Sequence, residues 1–151
     1  MTPKQRERDN LRSKAYNDYN NCSVQAVAKT CNVDIITAFV ALKRQGRKHS
    51  CSAHRMDIVR AARSLGVKVT SSRFDSNIMD HRWTARSLPE SLSTGRHLVF
   101  TCNHVFALNH GTIDDWCAEH LNRVTDIYTV TRYQSKKDVP LYEADYDELL
   151  I

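Results

Sequence analysis

Cys22 stands directly before a helical apolar stripe. Val24, Val27, Ala28 and Cys31 fall at i, i+3, i+4 and i+7, the spacing of a buried amphipathic helix. The cysteine therefore belongs to the first turn or the cap of that predicted helix. Unsatisfied backbone N–H groups and the positive end of the helix dipole favour a thiolate over a thiol there. The thiolate is the nucleophilic form. The competing reading makes Cys22 a small buried hydrophobe, the usual role of a free cysteine.

A cysteine nucleophile needs a base to take its proton and a third group to fix the imidazole tautomer. His104 opens the apolar run His104-Val105-Phe106-Ala107-Leu108. A turn follows at His110-Gly111, and Asp114 and Asp115 stand on the returning segment. Parity selects between the two acids, because side chains alternate along a strand and directly opposed residues share a face. A two-residue turn at Asn109-His110 pairs His104 with Asp115. One at His110-Gly111 places Asp115 opposite Phe106, still on the His104 face. Asp115 is therefore the expected orienting acid, and only an odd-length loop favours Asp114. Two-residue turns are the commonest hairpin connections, and Gly111 supplies the positive φ they need.

The elements that must carry these residues follow from the rest of the chain. Residues 1–19 are polar and read as an arm or a short frayed helix. The Cys22 helix runs to about Cys31, with Asn32 as a left-handed cap and Asp34 as the N-cap of the next helix. That second helix carries Ile35, Ala38, Phe39 and Leu42 on one face and ends at Gly46. A third presents Ile58, Ala61, Ala62 and Leu65 and stops at Gly66. The period then changes. Val67 to Thr70 alternates as a strand, residues 71–96 are mostly loop, and Leu98 to Cys102, His104 to Asn109 and Arg123 to Tyr133 read as further strands. Helices first and a meandering sheet after them make an α+β pattern.

Composition narrows the class. The chain has 151 residues, 41% hydrophobic and 26% charged, a globular balance with room for one core. No apolar run approaches the ~20 residues of a membrane span, so no membrane partner is expected. The polar start has no apolar signal region. A cytoplasmic protein with reduced thiols follows, and the spacing of its five cysteines shows no disulfide framework. Residues 43–73 hold nine basic side chains against the single acid Asp57, whereas Asp138, Glu143, Asp145, Asp147 and Glu148 make the tail acidic. The basic block is a candidate contact for nucleic acid or an acidic partner; the plainer reading is a solvated face balanced by the tail. Cys51, His54, Cys117 and His120 form two Cys-x-x-His pairs that together would suit zinc. No CxxC occurs, and no metal is assigned. His49, His81, His97 and His110 read as surface histidines on loops or turns.

Asn20-Asn21-Cys22-Ser23-Val24-Gln25-Ala26-Val27-Ala28 resembles the nucleophile motif of papain-like cysteine peptidases. It is most similar to small bacterial and phage proteins related to bacteriocin-processing peptidases, in which Asn-Asp-Cys-Ser opens the helix. The stretch from His104 to Asp115 resembles their second motif: a histidine, an apolar strand, a glycine turn and an acid. The resemblance covers roughly residues 18–116. It implies a papain-like fold, a cysteine peptidase, isopeptidase or amidase activity on a protein or peptide substrate, and no cofactor. It also suggests a phage protein acting in a host cytoplasm. Two positions depart from the pattern. Tyr16 stands where the family places its oxyanion-binding glutamine, leaving Asn17 or Asn20 as the substitute beside the Cys22 N–H. Asn21 replaces the commoner Asp.

The sequence thus predicts a polar arm over 1–19, one α+β domain of papain-like architecture over 20–133, and an acidic tail over 134–151. Its expected site is Cys22, His104 and Asp115, with Asn17 or Asn20 as oxyanion donor. The alternatives are a host-interaction or nucleic-acid-binding protein that uses the scaffold without catalysis, or a zinc-stapled binding domain.

Overall fold

The computed structural model describes residues 2–18, 21–71, 92–102, 104–114 and 124–132. Among them are four helices: α1 (Pro3–Tyr16), α2 (Cys22–Cys31), α3 (Ile35–Arg44) and α4 (Arg55–Ser64). Five strands follow: β1 (Val67–Ser71), β2 (Arg96–Thr101), β3 (Val105–Asn109), β4 (Thr112–Asp114) and β5 (Val124–Arg132). They form one antiparallel sheet in the order β1-β5-β2-β3-β4. The architecture is α+β.

The segment expected as an arm or a frayed helix is α1, 14 residues long. Its apolar content is small: only Leu11 and Ala15 are buried. A capping box starts it, with Gln5 N–H donating to Thr2 Oγ1 at 3.2 Å and Thr2 N–H donating to Gln5 Oε1 at 3.0 Å. Pro3 occupies the first turn, where a missing N–H costs nothing.

α2 is the central helix. Val24, Val27, Ala28 and Cys31 are buried as their spacing predicts, and Ser23, Ala26 and Thr30 are buried as well. The helix packs against α3, α4, β2, β3 and β5, so little of its circumference reaches solvent. Thr30 satisfies its hydroxyl within the helix, donating to Ala26 O at 2.7 Å. The chain leaves α2 through Asn32 at φ 54 and ψ 50, the expected left-handed cap. Asp34 then caps α3 by accepting from Thr37 N–H at 2.7 Å.

α3 ends in a Schellman motif. Gly46, at φ 100, donates to Lys43 O at 3.0 Å, and Arg47 N–H donates to Leu42 O at 3.0 Å. This reversal turns Arg47 into the interior, where it is 6% exposed. Gly66, at φ 83, closes the exit from α4 in the same left-handed region.

The sheet is buried on both sides. Leu98, Phe100, Val105, Val67, Val69 and Val130 join the helical core. Val99, Phe106, Leu108, Val124 and Ile127 form a second cluster with Leu92. Two-sided burial explains why β2 reads as a continuous apolar run rather than an alternation. β3 and β4 meet through His110 at φ 51 and Gly111 at φ 82, with Asn109 opposite Thr112. Positive φ at both central residues defines a type I′ turn, whose twist matches the flanking strands.

Candidate active site

The amino end of α2 and the start of β3 meet at Cys22. The helix begins there because the apolar stripe begins there, and β3 lies beneath it. Asn109, at the far end of β3, fixes the relative placement by donating from Nδ2 to Lys29 O in the last turn of α2, at 3.1 Å. His104 precedes β3 by one residue. Its carbonyl accepts from Thr101 N–H at 2.8 Å and from Thr101 Oγ1 at 3.3 Å. These bonds close the β2–β3 connection tightly around the histidine. Its ring lies against the ring of Phe106 at 6.1 Å between centroids and 28° between planes.

Cys22 is 9% exposed. Burial pushes its thiol up, and this is the largest single influence. The hydrogen bond from the His104 ring, the Val105 backbone N–H, the charge on His104 and the Ser23 backbone N–H all act the other way. Together they prevail, and the thiol sits below its ordinary value. The first-turn Ser23 N–H is the smallest of these lowering influences; the His104 ring and the Val105 N–H from the sheet act beside it.

Cys22 and His104 line one cleft of about 490 Å³. Ser23 and Val105 adjoin them, the loop before α4 and its first turns add Ser52, Ala53, His54, Arg55 and Ile58, and Phe100, Thr101 and Cys102 complete the lining. The arrangement places a thiol held below its ordinary value and an imidazole side by side on an open depression, the pair of groups that nucleophilic acyl transfer requires.

The other expected site residues divide. Asn17 is the C-cap of α1, exposed, with Nδ2 donating to Ser13 Oγ at 3.4 Å, and it does not line the cleft. Tyr16 is 70% exposed. Asn20 and Asp115 lie outside the described residues. Asp114 pairs with Ala107, which gives it the parity of Val105 and not of His104.

Cys51 and Cys102 are exposed and Cys31 is buried in the core. Cys117 and His120 fall outside the described residues, so the paired Cys-x-x-His arrangement is half described. Among the described residues no group of three or more His, Cys, Asp or Glu is placed to hold a metal. No single helix there is long and apolar enough to cross a membrane.

The basic block is partly engaged by the fold. Arg47 is paired with Asp18, Arg55 with Asp126 and Arg60 with Asp57, and Arg63 donates to Val69 O. His97 corrects an expectation. It is 5% exposed on β2, with Nε2 donating to Thr94 O at 2.8 Å and Nδ1 3.2 Å from Thr129 Oγ1.

Three contributors were missed in the sequence. Asp18 accepts two bonds from Arg47 just upstream of Cys22. Phe106 backs the imidazole, a contact foreshadowed by its i+2 relation to His104. Ser23 is buried at the cleft beside Cys22. Comparison with family models, with curated proteins and with solved structures found no match to this chain.

Proposed function

We propose that this protein is a cysteine-nucleophile acyl hydrolase of papain-like type, acting on an amide or ester carbonyl of a protein or peptide. The observation that carries the reading is the hydrogen bond between the His104 ring and Cys22, which holds the thiol below its ordinary value on the wall of an open cleft. A structural cysteine needs neither an imidazole partner nor access to a cleft.

The steps follow from these groups. The Cys22 thiolate attacks the carbonyl carbon, forming a C–S bond and moving the carbonyl π electrons onto oxygen. The Cys22 N–H, in the first turn of a helix whose N-cap Asn21 makes no side-chain cap, is the donor offered to that oxyanion. Collapse breaks the bond to the leaving nitrogen or oxygen, which takes its proton from His104. His104 then removes a proton from water, the hydroxide attacks the thioester, and the acid leaves as the thiolate returns. No cofactor enters.

Incubation with an activated ester such as p-nitrophenyl acetate, followed by intact and peptide mass spectrometry, tests the reading. An acetyl group confined to Cys22, absent in Cys22→Ala and slow in His104→Gln, is expected. Acetylation spread evenly over the exposed cysteines overturns it.

A further inference from the structure

The cleft has more lining than the Cys22–His104 chemistry uses. Ser52, Ala53, His54 and Arg55 bring the amino end of α4 to it. His54 is the N-cap of α4 and its side chain makes no cap bond to the first-turn N–H groups, while Asp57 in that turn is engaged by Arg60 at 3.3 Å. Arg55 donates through Nη1 to Asp126 Oδ2 at 2.6 Å, and its side chain stays 47% exposed. That single contact leaves Nε and Nη2 for another acceptor.

Ser23 supplies an independent observation. The residue is 1% exposed, its Oγ is buried without a hydrogen-bond partner, and it lines the same cleft. Buried hydroxyls are nearly always paired, so an unpaired one beside a cleft marks the place of an absent partner. The lining as a whole agrees. Among the described residues it contains Ser23, Ser52, His54, Arg55, Thr101 and His104, and no carboxylate. Asp126 offsets part of the Arg55 charge, so recognition falls to directed donors rather than to net charge.

We propose that this part of the cleft is a carboxylate subsite, with the Ser23 hydroxyl, the first-turn N–H groups of α4 and Arg55 as donors, and that the acyl substrate of Cys22 carries a carboxylate. The assignment rests on Cys22 as the nucleophile and adds the class of substrate it takes.

Two matched alkylating probes separate the claims. N-iodoacetyl-glycine and N-iodoacetyl-glycinamide share one reactive carbon and leaving group and differ in a carboxylate. Their rates at each cysteine of the full chain are read by peptide mass spectrometry, with Cys51 as the internal reference. The anionic probe is expected to modify Cys22 roughly tenfold faster than the neutral one, the scale of a hydrogen bond to a charged group, with no such preference at Cys51. Arg55→Gln and Ser23→Ala are each expected to bring that ratio toward one. Ser23→Ala removes an unpaired polar atom, so its melting temperature should stay or rise. A ratio near one, with Cys22 still the fastest thiol, overturns the subsite and leaves the nucleophile standing. A preference that survives both substitutions also overturns it, because the His104 charge and the α2 dipole would then be its source. Failure of Cys22 to react with either probe removes the nucleophile and the subsite together.

Discussion

Asp18 Oδ2 accepts from Arg47 Nη1 at 2.6 Å, and Asp18 Oδ1 from Arg47 Nη2 at 2.9 Å, with side-chain exposures of 0% and 1%. The same carboxylate accepts Ser50 N–H at 2.7 Å. Next to it, His49 Nε2 donates to Lys14 O at 2.8 Å. The loop after α3 thereby grips the end of α1 and the chain just ahead of Cys22. Removing one partner strands a buried charge. Asp18→Ala is expected to cost ~3–5 kcal/mol in urea denaturation. A double variant, Asp18→Leu with Arg47→Met, should cost less than the two single changes added together. It should not be neutral, because Ser50 N–H loses its acceptor. Additive losses would show that the pair does not act as a unit.

The thiol of Cys22 is expected to titrate below the ordinary value of a cysteine. Burial raises it, and the His104 hydrogen bond and charge, with the Val105 and Ser23 N–H groups, lower it further than burial raises it. Alkylation rates by neutral iodoacetamide, followed against pH, give each inflection. In His104→Gln the charge is gone and burial remains, so the Cys22 inflection should move up. An inflection of Cys22 at or above the ordinary cysteine value would sink the claim.

The same shift carries a stability consequence with a definite sign. The folded value of Cys22 lies below the unfolded one, so between the two the unfolded chain holds the extra proton. Unfolding free energy therefore rises with pH through that window and is lost as pH falls through the folded value. Urea midpoints of the parent chain across this range should climb relative to those of Cys22→Ala. Parallel curves for the two proteins would contradict the linkage.

What the sequence disclosed was local. The stripe of α2, the Asn32 and Asp34 caps and the Gly46 and Gly66 exits each depend on residues within one turn, and each stands where spacing puts it. The length of α1 escaped because its inward face is only Leu11 and Ala15, although Thr2, Pro3 and Gln5 already spelled a capping box. Burial of His97 depends on Thr129 from β5, and the Asp18–Arg47 pair joins residues far apart in the chain. Such partners have no signature at either position alone. Cys22 and His104 were found as residue types in order. Their contact depends on α2 packing over β3, which no spacing encodes.

Gly111 holds the hairpin that fixes the register of β3. Its φ is 82, and a Cβ there would stand 3.3 Å from Ser93 O. Gly111→Ala should therefore destabilise by about 1–2 kcal/mol, the cost of a left-handed alanine, before any push on Ser93. His110, at φ 51, also lies in the left-handed region, and His110→Asn should be neutral or stabilising because Asn tolerates it. Thermal melts decide both. Equal stability of Gly111→Ala and the parent would mean the turn relaxes freely.

The identity of the orienting acid is testable without a known substrate. Asn109 stands opposite Thr112 and Ala107 opposite Asp114, which is the register of a two-residue turn at His110-Gly111. Asp114 thus takes the parity of Ala107 and Val105, while the alternate parity belongs to Phe106, whose ring backs His104. Asp115, the acid expected from the sequence and proposed to orient His104, is next in the chain and outside the described residues. Replacing it with Asn keeps the shape and removes the charge proposed to favour an imidazolium beside the Cys22 thiolate. Asp115→Asn is therefore expected to slow acetylation of Cys22 by p-nitrophenyl acetate by roughly tenfold or more, and Asp114→Asn to change it little. Circular dichroism of both variants guards against misfolding. If the rate falls with Asp114→Asn and holds with Asp115→Asn, the assignment of the acid by parity is wrong.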